Sequence, residues 1–215
     1  MNPYYEDARV VLYHGDCREV LPHLAPVDLV LTDPPYGIQA DEKAAASAGK
    51  AGWADHGPAT GWDRERPSRA TFEQVLAAGR NAIIWGGNYF ADLLPPSMGW
   101  LAWDKGQRGF SLADFELAWT SFQVAARCVV VPRGQALQDG KQHPTQKSLK
   151  VMSFCITHAI DKDRGGDIRT VLDPFAGSGT TLRAAKDLGL RSIGIEAQER
   201  YCEVIAQRMA QETLF

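Results

Sequence analysis

A chain of 215 residues, 45% apolar and 23% charged, suits one large domain, or one domain carrying a small insertion, and its composition is that of an ordinary globular protein. The formal charge of −3 excludes wholesale coating by nucleic acid but leaves room for a local basic face. The four cysteines, Cys17, Cys128, Cys155 and Cys202, form no Cys-x-x-Cys pair, which argues for reduced thiols and against a disulfide framework or a metal site. Met1 to Val10 carry no basic apolar leader, and no apolar run approaches membrane-spanning length. A soluble cytoplasmic protein with no membrane partner and no metal requirement is expected.

In chain order, Val10-Val11-Leu12-Tyr13 reads as a first strand, leading through His14-Gly15-Asp16 into a short helical stretch. Val27 to Thr32 is an apolar run that predicts a buried strand, and it ends in Asp33-Pro34-Pro35-Tyr36-Gly37. A carboxylate, two prolines and an aromatic ring thus stand at the carboxyl end of a strand, where open α/β sheets place their ligands. The prolines fix φ and remove two donors, so a stiff cluster of acceptors lies beside an aromatic face. That combination suits a flat heterocycle with an exocyclic amino group. Residues 39–69 show no sustained period and are rich in Ala, Gly, Asp and Lys; a connection of this length predicts a mobile loop over 38–69, ordering over a ligand or remaining a plain linker.

Ala82-Ile83-Ile84-Trp85, Trp100 to Trp103 and Phe115 to Trp119 continue the strands, followed by Thr170-Val171-Leu172-Asp173 and Arg191 to Glu196. Helical patterns cover Thr71 to Ala78, Ser148 to Ile160, Thr180 to Leu188 and Arg200 to Met209. Such alternation predicts one domain, 1–215, with a mostly parallel sheet covered on both faces.

The run Asp173-Pro174-Phe175-Ala176-Gly177-Ser178-Gly179-Thr180-Thr181 follows a strand and opens a helix, the context that a cofactor-binding glycine turn needs. Gly177 and Gly179 let backbone approach a ligand, while Ser178, Thr180 and the helix-start amides offer donors. No lysine follows the glycines, so this is not a phosphate loop of the Walker type, and the third glycine of a dinucleotide fingerprint is missing. Glu196 ends the next strand, where an acid can accept ribose hydroxyls. A nucleoside cofactor with a small charged tail fits best.

His14-Gly15-Asp16-Cys17, Asp33 to Gly37, His143-Pro144-Thr145-Gln146-Lys147 and Asp173 to Thr181 occur in an order that resembles the amino-group DNA methyltransferases of the permuted beta class. The resemblance spans nearly the whole chain. It implies a Rossmann-like, seven-stranded, mostly parallel sheet with circularly permuted motif order, S-adenosyl-L-methionine as cofactor and double-stranded DNA as partner. Members are often homodimers, which this sequence leaves open. By the same resemblance Asp33, Pro34, Pro35 and Tyr36 are the catalytic segment. Asp16, Asp33, Asp173, Pro174, Phe175, Gly177, Ser178, Gly179, Thr180 and Glu196 line the cofactor. Phe175 packs on its adenine, Glu196 takes its ribose and Asp16 accepts from its adenine amino group, unless Asp16 is simply a helix cap. Thr145 and Lys147 close over the methionine end, with Lys147 pairing its carboxylate or standing as a solvated helix-start lysine.

The chemistry follows from elementary considerations. An exocyclic amino nitrogen is a poor nucleophile because its lone pair is delocalised into the ring. Asp33 and the Pro34 carbonyl can accept its hydrogens and localise that pair, which is catalysis by positioning and electrostatics. Tyr36 would stack on a base rotated out of the duplex. Methylation at cytosine C5 would need a Pro-Cys nucleophile, which the chain lacks. The resemblance also implies target recognition in a short insert over 105–142; between Lys105 and Lys150 seven basic residues face three acids. Asp before Pro-Pro-Tyr favours adenine N6 over cytosine N4 within the family. An RNA or protein amide methyltransferase, which favours Asn at this position, and a catalytically silent binding module are the other readings.

Overall fold

Every apolar run named above is a strand of one sheet. The computed structural model describes residues 1–47, 61–109, 113–136, 146–163 and 167–211. The strands are β1 (Tyr5–Glu6), β2 (Val10–His14), β3 (Val27–Thr32), β4 (Gly79–Trp85), β5 (Trp100–Asp104), β6 (Phe115–Thr120), β7 (Arg127–Val130), β8 (Thr170–Asp173) and β9 (Arg191–Glu196). The helices are α1 (Cys17–Val20), α2 (Ala40–Ser47), α3 (Arg69–Ala77), α4 (Arg133–Ala136), α5 (Leu149–Lys162), α6 (Thr180–Asp187) and α7 (Glu199–Ala210).

The sheet has nine strands in the order β1-β2-β9-β8-β3-β4-β6-β5-β7, two more than the seven expected. The additions are edge pieces too short or too exposed to show as apolar runs: the two-residue β1, antiparallel to β2, and β7, parallel to β5. From β2 to β4 all neighbours run parallel, and β6 lies antiparallel between β4 and β5.

Period-two alternation assigns the two faces. Leu29 and Leu31 of β3, with Ile83 and Trp85 of β4, pack against Val151, Met152, Cys155 and Ile156 of α5. Val30, Ala82 and Ile84 point the other way, onto Phe72 and Val75 of α3 and Cys17 and Val20 of α1. A third cluster joins Val10 and Leu12 of β2 to Leu182 of α6 and to Cys202, Ile205 and Met209 of α7. Gly194 is needed in β9 because a Cβ there would stand 2.6 Å from Leu182 Cδ2.

Both expected segments contain ordered secondary structure. The ends of 38–69 are folded: Ala40–Ser47 is helix α2, and Ser68 caps α3 by accepting from the Thr71 amide. The Ala, Glu and Lys of α2 favour helix without marking an apolar face, so periodicity missed it; residues 48–60 lie outside the described ones. Within 105–142 the described residues include β6 and β7, both strands of the sheet.

Strand β3 continues to β4 on one side, while β8 continues to β9 on the other. The carboxyl ends of β3 and β8, paired in parallel, therefore flank the topological switch point where open sheets bind ligands.

Candidate active site

The two motifs meet at that switch point. Asp33 follows β3, Asp173 ends β8, and Thr32 Oγ1 donates to Asp173 Oδ1 at 2.6 Å. Above them opens a cavity of about 470 Å³ lined by Asp16, Asp33, Pro35, Trp62, Lys147, residues 173–178 and Glu196. This is the size of a small-molecule site.

Asp33 is held by two donors. Its Oδ1 accepts from the Tyr36 hydroxyl and its Oδ2 accepts from Lys147 Nζ at 2.5 Å. Burial raises the Asp33 carboxyl, and the Lys147 ammonium opposes that rise. Burial would lower Lys147, but the Asp33 and Glu116 carboxylates outweigh it and hold the ammonium protonated. Pro34 is buried beneath the loop, whereas Pro35 faces the cavity. The Tyr36 ring, expected to be open to a base, is stacked on Tyr89 with centroids 4.6 Å apart and planes at 14°. A Cβ at Gly86 would fall 2.2 Å from a carbon of the same ring, which fixes glycine there.

The loop is clamped by a residue that sequence reading passed over. Asp63 is 1% exposed; its Oδ1 accepts from the amides of Tyr36 (2.6 Å) and Gly37 (2.9 Å), and its Oδ2 from Ala40 N (2.8 Å). Gly37, at φ 71°, makes the turn that presents these amides.

On the other side of the cavity Gly177 and Gly179 take φ of 54° and 75°. A side chain on Gly177 would project into open space, while one on Gly179 would stand 2.9 Å from Ile205. Gly177 N donates to Glu196 Oε2, and Gln198 N to Oε1, both at 2.8 Å, so the carboxylate is aimed beside the glycine turn. Phe175 and Pro174 line the same wall, with Phe175 N bonded to Asp173 Oδ1 at 3.1 Å. Ser178 and Thr180 are buried at the start of α6.

Burial raises Glu196 to about 7 despite its two backbone donors, and raises Asp173 to about 6. Both acids bind protons more tightly folded than unfolded, so their contribution to stability is full below the unfolded values and is lost as pH rises through about 6 to 7. The thermal midpoint of the ligand-free protein should fall by a few degrees between about pH 5.5 and 8. Glu196→Gln should flatten that slope in thermal melts; an unchanged slope would show that Glu196 does not titrate there.

Of the remaining expected residues, Asp16 does cap α1, accepting from Arg18 N at 2.9 Å and from the Arg18 guanidinium, although it also borders the cavity. Thr145 lies outside the described residues. Lys147 is not solvated: it is 5% exposed, borders the cavity and is shared between Asp33 and Glu116 (3.0 Å). Glu116 also went unnoticed, although an acid inside the apolar strand Phe115-Glu116-Leu117-Ala118-Trp119 signals a buried partner.

The fold and this cavity define the class: a Rossmann-like sheet with a ligand cavity at its switch point, the Asp33 loop standing ahead of the glycine loop in the chain. Residues 113–208 match the N6/N4 methyltransferase family model, described as DNA methylase. The chain is 25% identical over 262 aligned residues to the type II methyltransferase M2.DpnII of Streptococcus pneumoniae, covering 98% of this chain and 93% of that protein. It is 38% identical over 73 residues to the type II methyltransferase M.HinfI of Haemophilus influenzae, 34% of this chain and 19% of that one. Among solved structures, the cytosine-N4-specific PvuII DNA methyltransferase superposes with a TM-score of 0.62 at 17% identity, over 99% of this chain and 90% of that one. The M1.HpyAVI–SAM complex gives 0.59 at 21%, over 94% and 100%. Along nearly its whole length the chain is thus similar to type II DNA methyltransferases, and its second half matches the amino-group DNA methylase model.

Proposed function

We propose that this protein transfers a methyl group from S-adenosyl-L-methionine to the exocyclic N6 of an adenine rotated out of double-stranded DNA, in the cytoplasm. One observation carries the reading: the Asp33 carboxylate and the Gly177–Glu196 turn face a single cavity and are tied together through Thr32 and Asp173. The cavity fits the cofactor on its own features. Open space in front of Gly177 admits a ligand's backbone-close tail, and Glu196 stands where ribose hydroxyls can donate. Phe175 offers a ring for an adenine, and Ser178 with Thr180 can receive the amino-acid end.

Bound cofactor supplies a methyl on a sulfonium, which leaves without further activation. The residues do the rest. Asp33 accepts one amino hydrogen of the target base and the Pro34 carbonyl a second, turning the nitrogen lone pair toward the methyl. The Tyr36 hydroxyl and Lys147 fix both Asp33 oxygens, so little reorientation is required during transfer. Because Tyr89 covers Tyr36, the everted base stacks either on the outer face of Tyr89 or on Tyr36 after Tyr89 turns away.

Transfer from tritiated cofactor into mixed-sequence DNA, followed by nucleoside analysis, should yield N6-methyladenine. N4-methylcytosine as sole product would overturn the base assignment, and no incorporation into any DNA would overturn the reading itself.

A further inference from the structure

Behind the catalytic carboxylate runs a row of alternating charges. Lys147 Nζ lies 2.5 Å from Asp33 Oδ2 and 3.0 Å from Glu116 Oε2, and Lys105 Nζ lies 2.6 Å from Glu116 Oε1. The four residues come from separate places in the chain: after β3, on β6, ahead of α5 and after β5. Lys147 is enclosed further by the rings of Trp85 and Tyr36, 5.5 and 5.6 Å from its ammonium. Lys105 sits nearer solvent over Trp103, with its side chain 15% exposed against 5% for Lys147.

A buried lysine on the catalytic carboxylate poses an electrostatic problem. The donor sulfonium is cationic; as its S–CH3 bond breaks and the N–CH3 bond forms, the sulfur becomes a neutral thioether and the positive charge passes to the amino nitrogen, which then loses a proton to water. An ammonium paired with Asp33 alone would cancel the one charge that welcomes both species. Glu116 resolves it: Asp33, Lys147 and Glu116 together sum to −1, and although Lys105 brings the row of four to zero, it stands one link further from Asp33 and nearer solvent than Lys147, where its charge is better screened. Burial would raise the Glu116 carboxyl, yet Lys147 and Lys105 hold it down at about 2, so it is ionised throughout the physiological range.

We propose that Glu116 is a positioning residue that offsets the charge of Lys147, allowing Lys147 to clamp Asp33 while the transfer site stays net negative. The proposal rests on the reading of Asp33 as the acceptor of the target amino group, and it adds a residue from β6 to that machinery.

Calorimetry with S-adenosylmethionine and with S-adenosylhomocysteine, whose sulfur is neutral, reads the site charge without turnover. The parent protein should favour the cation, and Glu116→Gln should reduce the ratio of the two dissociation constants by about tenfold. In the same variant kcat should fall more than the KM for DNA. Lys147→Met should raise the preference for the cation, while slowing transfer because Asp33 loses its clamp. The double variant Glu116→Gln/Lys147→Met, in which both charges are gone, should recover the parent preference and exceed the single Glu116→Gln variant in kcat. Parent-like preference in Glu116→Gln, or a double variant no better than that single one, would overturn the proposal. If Glu116→Gln does not fold, an unchanged preference in Lys147→Met overturns it alone. A parent protein that methylates no DNA would sink the functional reading, whereas the calorimetric comparison would still decide the charge argument.

Discussion

Asp33→Ala leaves a folded protein that still binds S-adenosylmethionine but transfers methyl groups at least about a thousandfold more slowly. The expectation rests on what remains after the side chain goes. The glycine turn and Glu196 are untouched, so the cofactor wall survives. Lys147 keeps Glu116 as a partner, so no ammonium is stranded. What disappears is the carboxylate that lines the cavity at the end of β3, the proposed acceptor of the target amino group. Turnover of the variant, measured alongside cofactor affinity and thermal melting, checks it. Activity near the parent level would remove Asp33 from the mechanism.

Asp63→Ala should lower stability by about 3 kcal/mol, because three backbone amides in the catalytic loop lose a buried acceptor at once. It should also cut turnover by about a hundredfold, since the loop carrying Asp33 and Tyr36 loses the clamp that aims it. Asp63→Asn, which keeps one acceptor oxygen, should fall between the parent and the alanine variant in denaturant unfolding. If Asp63→Ala unfolds like the parent, the carboxylate does not hold the loop. Arg66, three residues on, bonds the Tyr89 carbonyl at 2.6 Å, so the same segment also anchors the ring stacked on Tyr36.

Much of this site was legible in the sequence because its chemistry is local. Asp33 to Gly37 and Asp173 to Thr181 each pack a strand end, a turn and their polar groups into a few consecutive residues. Strand order then brings them together without any special contact. Glu196 was legible for the same reason, ending a clear apolar strand. The residues that hold the site were not. Asp63 earns its role from amides 23 to 27 positions away, and nothing in Trp62-Asp63-Arg64 announces that. The bond from Lys147 to Asp33 was hidden because the two stand 114 positions apart. Tyr89 covers Tyr36 through a turn after β4 whose geometry depends on Gly86 at φ 69°. At the fold level, the interior strands declared themselves by unbroken apolar runs, and the edge strands β1 and β7 did not, since half-exposed positions carry no such pattern.

One cavity joins the glycine turn to Asp33, and a crystal structure with sinefungin, a stable analogue of the cofactor, would show whether a single ligand spans both. Ribose hydroxyls should bond Glu196, the amino-acid end should lie over Gly177 and Ser178, and the amine that replaces the sulfonium methyl should be directed at Asp33. Sinefungin seated elsewhere, or bound with that amine turned away from Asp33, would contradict it.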